Sequence, residues 1–289
     1  MFLRFKFFIF FAFLTLCCGT AATVRAQQPS SSPPPPPAVT ATNSGKSAKK
    51  EKQDRKQKAA DAAKNLTAEQ VAESTVLVYG GFGGRDTLNQ IRKTSLERGK
   101  ISVLNAEGKT EQANYERWIM RAATLDKERI RFDQEFPGAR YALIFNDAKI
   151  FGMYNDSVFT PREDASKAFE NQIWHGLEAL LRYKENASTV ALAGRDKLLG
   201  VDFYLLDVTD KQSRKTRFYV SSKSFRVMML EYSEGDTKYT RKFYDYNYAQ
   251  GTLVPFRSVL FAGDKQIEET DVQTITFGQK VEEGIFQAS

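Results

Sequence analysis

Among 289 residues the chain holds one histidine, His175, and two cysteines, Cys17 and Cys18. Histidine and cysteine most often act as bases, nucleophiles or soft metal ligands, so their scarcity narrows the chemistry at once. No Ser/His/Asp or Cys/His constellation can be proposed, and a zinc site needs more such ligands than exist. His175 falls on the side of a helical stretch away from its apolar stripe, where a surface or partly satisfied imidazole is expected rather than a base. Carboxylates remain: Glu268, Glu269 and Asp271, or Glu282 with Glu283. Acid/base work needs two of them across a cleft, and no spacing places any two there, so these clusters read as solvated edges. The loop Gly80-Gly81-Phe82-Gly83-Gly84 invites a phosphate reading. It lies between helices, however, and has Asp86 where a dinucleotide fingerprint needs its third glycine. No catalytic residue, metal site or cofactor is expected, so the protein reads as a non-enzyme.

The elements that would position any site begin after an unusual leader. Arg4 and Lys6 precede an apolar run from Phe7 to Leu16, and Val24-Arg25-Ala26 offers a small-x-small junction before Gln27. The run is short for a membrane span. Residues 1–26 therefore read as a signal peptide cleaved between Ala26 and Gln27, which removes both cysteines; the alternative is an uncleaved anchor in the inner membrane. Residues 27–65 read as a linker without a packed core. Pro33 to Pro37 form a stiff spacer, and Lys46 to Lys58 is a basic cluster suited to an anionic membrane surface. For an exported chain, lipid headgroups are a more available partner than nucleic acid. The net charge of +7 sits in these segments. Arg4, Lys6 and Arg25 belong to the leader, and the linker holds eight Lys/Arg against three Asp/Glu, so residues 66–289 carry about −1.

The folded part opens with a helix capped by Thr67 and Gln70, with Val71, Val76 and Leu77 spaced to face a core and glycines ending it. A short turn of helix follows over Asp86 to Ile91. From Gly99 the period changes to two. Twelve strands are predicted: Lys100 to Leu104, Asn114 to Ala123, Lys127 to Glu135, Arg140 to Asn146 and Lys149 to Tyr154, then Ser188 to Arg195, Val201 to Thr209, Thr216 to Ser222, Arg226 to Tyr232, Lys238 to Tyr248, Leu253 to Ala262 and Lys265 to Phe277. Turn chemistry at Asn146-Asp147, Glu234-Gly235-Asp236 and Gly263-Asp264 makes neighbours antiparallel. One amphipathic helix interrupts the series, with Thr160 at its cap, Pro161 at its first position and Phe169, Ile173, Leu177 and Leu180 along its stripe.

This order resembles a family: an exported leader, an amphipathic helix, Tyr79-Gly80-Gly81, a strand series with a mid-chain helix, and the ending Asp245-Tyr246-x-Tyr248-x-x-Gly251-x-x-x-Pro255-x-Arg257, Val272-x-x-Ile275-x-Phe277, Ile285-Phe286. It is similar to the LolA/LolB-like superfamily of bacterial envelope carriers over about Leu66 to Phe286. The resemblance implies an α+β, mainly antiparallel fold: a strongly curved, unclosed β-barrel of about 11–12 strands whose N-terminal and mid-chain helices form a lid on the concave face. It also implies a periplasmic, non-catalytic carrier, monomeric, that holds lipid or lipoprotein acyl chains in an apolar cavity on the way to the outer membrane. A sensor or scaffold of the same fold, resembling the lipid-sensing domain of RseB and binding a protein partner, is the alternative.

A carrier needs a dry concavity, since each buried CH₂ of an acyl chain contributes about 0.8 kcal/mol. Alternation puts Trp118 and Met120 on one strand face, opposite Arg117, Ile119 and Arg121. Ile130 and Phe132 oppose Arg129, Arg131 and Asp133. Leu143 and Phe145 share a face, as do Met228 and Leu230, and Trp174, Leu177 and Leu181 could form the underside of the lid. These eleven residues are the candidate ligand contacts. Tyr244, Tyr246 and Tyr248 are expected on one face as a cross-strand aromatic ladder.

Overall fold

The computed structural model describes residues 66–287 except Ala106 and Asp156. The chain divides into the units Met1–Arg55 and Lys56–Ser289, and the described fold lies in the second. The leader, the Ala26–Gln27 junction and the Lys46 to Lys58 cluster lie outside the described residues. No helix among the described residues is long and apolar enough to cross a membrane.

Helix α1 (Ala68–Gly80) opens with the capping box: the Gln70 backbone N–H donates to Thr67 Oγ1 at 3.2 Å and that of Thr67 to Gln70 Oε1 at 2.8 Å. Val71, Ala72, Val76 and Tyr79 form its buried stripe. Leu77, expected against the core, lies one residue off that stripe and is 53% exposed. Gly81 ends the helix at φ 62, a conformation that side chains rarely adopt. Helix α2 (Gly84–Ile91) follows and packs on α1 through Leu88.

The strands are β1 (Thr94–Leu104), β2 (Thr110–Met120), β3 (Arg129–Phe136), β4 (Ala139–Asn146), β5 (Lys149–Tyr154) and β6 (Ser157–Phe159). After the mid-chain helices come β7 (Thr189–Leu198), β8 (Val201–Thr209), β9 (Lys215–Ser221), β10 (Val227–Glu234), β11 (Thr237–Ala249), β12 (Thr252–Ala262) and β13 (Lys265–Phe277). They form one 13-stranded sheet in the order β6-β5-β4-β3-β2-β1-β13-β12-β11-β10-β9-β8-β7. Each pairing is antiparallel, and β1 joins β13 to bring the two sequence halves together. The strand beyond the predicted twelve is β6, whose three residues are too few to show a period. The curved sheet stays unclosed because β6 and β7 do not pair; the chain crosses between them as helix.

That crossing is α3 (Glu163–Trp174) and α4 (Leu177–Leu181), two pieces rather than one. Thr160 does not cap it and Pro161 is not its first residue: Arg162 occupies the cap position with no side-chain cap bond. Glu163 and Asp164 fill the first turn, where carboxylates favour the helix dipole. The break falls at Gly176, whose backbone is extended at φ −78, ψ 177. A Cβ there would lie 2.7 Å from the Gln172 carbonyl oxygen, so any other residue would force the backbone at the corner to shift.

The helices cover the concave face in two patches. Over one half, α1, α2 and α4 bury Val76, Leu180, Leu181, Leu206, Phe218 and Leu230. Over the other, α3 packs Phe169 and Ile173 on Ile130, Phe132, Leu143 and Phe145. A third cluster lies on the opposite face, where the C-terminal segment seats Phe286 against Ala142, Ile144 and Met153.

Candidate functional site

Between the two helical patches, below the Gly176 corner, lies a cavity of about 220 Å³. Ile173, Leu177 and Glu178 from the helices bound it on one side. From the sheet come Ile119, Ile130, Val254, Ile275 and Phe277 with Arg117, Arg241, Glu97 and Glu268, and from the segments just outside its strands Arg92, Arg121 and Glu128. The lining is mixed, whereas an apolar hollow was expected. Its volume also lies below the roughly 300–1,000 Å³ typical of small-molecule sites, so as it stands it admits one chain at most.

Two polar networks furnish that wall. In the first, Arg92 at the end of α2 donates to Glu178 Oε1 at 3.0 Å, to the Leu253 carbonyl at 2.6 Å and to Thr252 Oγ1 at 3.3 Å. Arg121, just beyond β2, reaches the same Glu178 oxygen at 2.6 Å. Arg182, following α4, donates to Glu128 and to the carbonyls of Ala122 and Ala123. The helical layer is thereby tied to the β2–β3 connection and to β12. Burial alone would raise the Glu178 carboxyl, but Arg121 and Arg92 outweigh it and hold the group near 2. Burial pushes Glu128 up to about 7 against the pull of Arg121 and Arg182.

In the second network, Arg117 donates to Gln172 Oε1 at 2.7 Å, Gln172 to Glu268 Oε2 at 3.1 Å, and Arg241 to Glu268 Oε1 at 2.8 Å. Glu97 lies 3.8 Å from Arg117 and accepts from the Tyr115 hydroxyl at 2.8 Å. The Arg117 guanidinium also sits 4.5 Å above the Phe132 ring.

The structure separates the eleven candidate contacts. Ile130 and Leu177 line the cavity. Phe132, Leu143 and Phe145 face the helices but are packed beneath α3. Trp174 packs edge-on against Phe145 at 5.8 Å and carries the Arg214 guanidinium at 3.9 Å. Leu181 and Leu230 are core beside α1. Met228 is only half-buried, because a register shift between Val227 and Met229 turns it away from Leu230. Trp118 and Met120 alternate against Ile119 as expected but occupy the other face, under Val281 and Ile285. Period two tells which residues share a face, not which face the helices take.

The tyrosine ladder fails as well. Asp245 takes φ 52 and has no partner in the β11–β12 register, and around it Tyr244 and Tyr248 stay exposed while Tyr246 does not. Tyr246 turns into the core and its hydroxyl meets that of Tyr79 at 2.9 Å.

His175 is not on the surface: it is buried, stacked on Tyr232 at 4.2 Å, with Nδ1 2.6 Å from Thr216 Oγ1. Burial and the charge of Arg214 push its pKa down to about 4. Of the carboxylate cluster, Glu268 is buried in the second network, while Glu269 faces Arg257 at 2.7 Å and Asp271 is exposed. Among the described residues no group of three or more His, Cys, Asp or Glu is placed to hold a metal ion. The arginines and glutamates of the cavity wall escaped sequence reasoning. Their signal was present in Arg117-x-Ile119-x-Arg121, two charges sharing a strand face with an inward aliphatic.

An open antiparallel sheet that carries helices across its concave face defines the LolA-like fold, and this chain has it. It is similar to the crystal structure of a DUF1329 family protein from Desulfovibrio piger ATCC 29098, at 12% identity and a TM-score of 0.56, covering 77% of this chain and 98% of that one. It is similar too to a LolA superfamily protein from Nitrosomonas europaea, at 13% identity and a TM-score of 0.55, with the same 77% and 98% coverage. No family model matches the chain, and no curated protein matches it in sequence.

Proposed function

We propose that the protein is a non-catalytic carrier of the bacterial periplasm that holds an acyl chain of a lipid or lipoprotein between its curved sheet and its helical layer. The observation that supports this is the cavity beneath the Gly176 corner, roofed by Ile173 and Leu177 and floored by Ile119, Ile130, Val254 and Phe277. A chain laid there leaves water, and each CH₂ contributes about 0.8 kcal/mol. Cargo with several chains needs more room than 220 Å³. Loading it therefore requires displacement of α3 and α4, and the glycine corner between them is where the layer can part. Delivery to the outer membrane, and membrane contact through Lys46 to Lys58, belong to the same proposal.

Native mass spectrometry and lipid extraction of protein purified from a periplasmic fraction test it. A copurifying acyl compound in stoichiometric amount is expected; reproducibly ligand-free protein that also fails to take up added lipid would overturn it.

A second reading is a sensor or scaffold that docks a protein partner. The ten-residue edge strand β7 favours it, since its outer backbone groups are not paired in the sheet. A stable partner captured by cross-linking, without bound lipid, would select this reading.

A further inference from the structure

The first polar network is one anion short. Arg92, Arg121 and Arg182 bring three guanidinium groups into contact with only two carboxylates, Glu178 and Glu128. Their side chains are 8%, 10% and 5% exposed, so bulk water does little to screen the excess. The next carboxylate acting on Arg121 is Glu185, which is already held by Arg85 at 2.7 Å and Asn89 at 3.0 Å. The second network is balanced, Arg117 and Arg241 against Glu97 and Glu268. The uncompensated charge is therefore local to the Arg121 end of the cavity. A buried charge without a counter-charge is costly, and a site that keeps one is suited to receive an anion.

Arg117 Nε in the balanced network also lacks a partner, but within the first network Arg121 alone both lines the cavity and keeps an unpartnered donor. Arg92 uses all its ends on Glu178, Leu253 and Thr252. Arg121 spends Nη2 on Glu178, while its Nη1 has no partner; Glu178 is pinned as a carboxylate by both arginines. Arg92 and Glu178 thus orient Arg121, which lines the cavity and keeps a donor in reserve. Beside it the wall turns apolar, through Ile119, Ile130, Leu177 and Phe277.

We propose that the cavity takes a single-chain anionic amphiphile, its carboxylate or phosphate head held by Arg121 and its hydrocarbon laid along Ile119, Ile130, Leu177 and Phe277. This deepens the carrier reading and rests on it for the chain, while the head group is an independent claim. A fatty acid and a lysophospholipid supply the same chemistry.

The test is displacement of the fluorescent fatty acid 11-(dansylamino)undecanoic acid from the full chain by oleate, by oleoyl lysophosphatidic acid and by oleyl alcohol. The anionic competitors are expected to bind about tenfold more tightly than the alcohol, the worth of one charge-assisted hydrogen bond. Preference between oleate and lysophosphatidic acid distinguishes the two sources of the head. In Arg121→Gln, which leaves one carboxylate for each remaining arginine, that advantage is expected to vanish while alcohol binding holds, with circular dichroism checking the fold. Equal affinity of oleate and oleyl alcohol in the unaltered protein would overturn the head-group assignment and leave the carrier reading standing. Failure of all three to bind would overturn both.

Discussion

His175 and Glu128 are both buried, and burial shifts each toward its neutral form, which gives them opposite effects on stability. Histidine is pushed from 6.5 down to about 4, so the folded protein binds fewer protons there than the unfolded chain. Its contribution is full above pH 6.5 and is lost as pH falls toward 4. Glu128 is raised from 4.5 to about 7, so the folded protein binds more protons, and stability declines as pH rises from 4.5 to 7. Melting temperatures measured at intervals from pH 4 to 8 separate the two. His175→Asn should remove the acid-side loss, on the order of 2 kcal/mol at pH 4, and Glu128→Gln should flatten the decline on the neutral side. An unchanged acid limb in His175→Asn would contradict the stacked, neutral imidazole. None of this was readable from residue types alone. The lone histidine was expected to be at the surface or partly satisfied, off the stripe of a single long helix; it is hydrogen-bonded to Thr216 but buried, because the helix breaks at Gly176.

Glycines set the corners of the elements. Gly99 stands at the β1–β13 register shift, where an added Cβ would run into the Asp271 carbonyl and the Tyr115 ring. Because β1–β13 is the seam between the two halves of the sheet, Gly99→Ala is expected to cost about 2–4 kcal/mol in urea unfolding. Gly176→Ala should cost about 1–3 kcal/mol by straining the corner between α3 and α4, and it should slow lipid uptake if the layer parts there. Thr67→Ala removes one half of the capping box and should cost about 1 kcal/mol. The local signals that were legible had both partners close in sequence: Thr67 with Gln70, the hairpin turns, and alternation along β2, β3 and β4. The signals that misled had a distant partner. Thr160 and Pro161 look like a helix start, yet the helix begins at Glu163. The left-handed backbone at Asp245, beside which Tyr246 meets Tyr79, has no mark in the tyrosine spacing itself.

At the scale of the molecule, the two faces of the sheet give a paired test of where cargo sits. Leu177→Glu places a carboxylate at the cavity roof and is expected to reduce acyl-probe binding at least about tenfold. Trp118→Glu alters the opposite face, beneath Val281 and Ile285, and should cost stability while leaving probe binding in the folded fraction unchanged. Equal loss of binding in both, with both folded, would place the cargo elsewhere. By itself the amino-acid sequence determined the run of antiparallel strands, the capped opening helix, the presence of an amphipathic crossing and the pairing of residues by face. Each of these follows from a repeat of two or 3.6 residues or from a turn only a few residues long. Which face the helices cover, how β1 meets β13, and how four arginines and four glutamates gather around one cavity were decided only by the tertiary structure. Those contacts join residues far apart along the chain, and their energies depend on burial and on the balance of charge within it, which no local pattern carries.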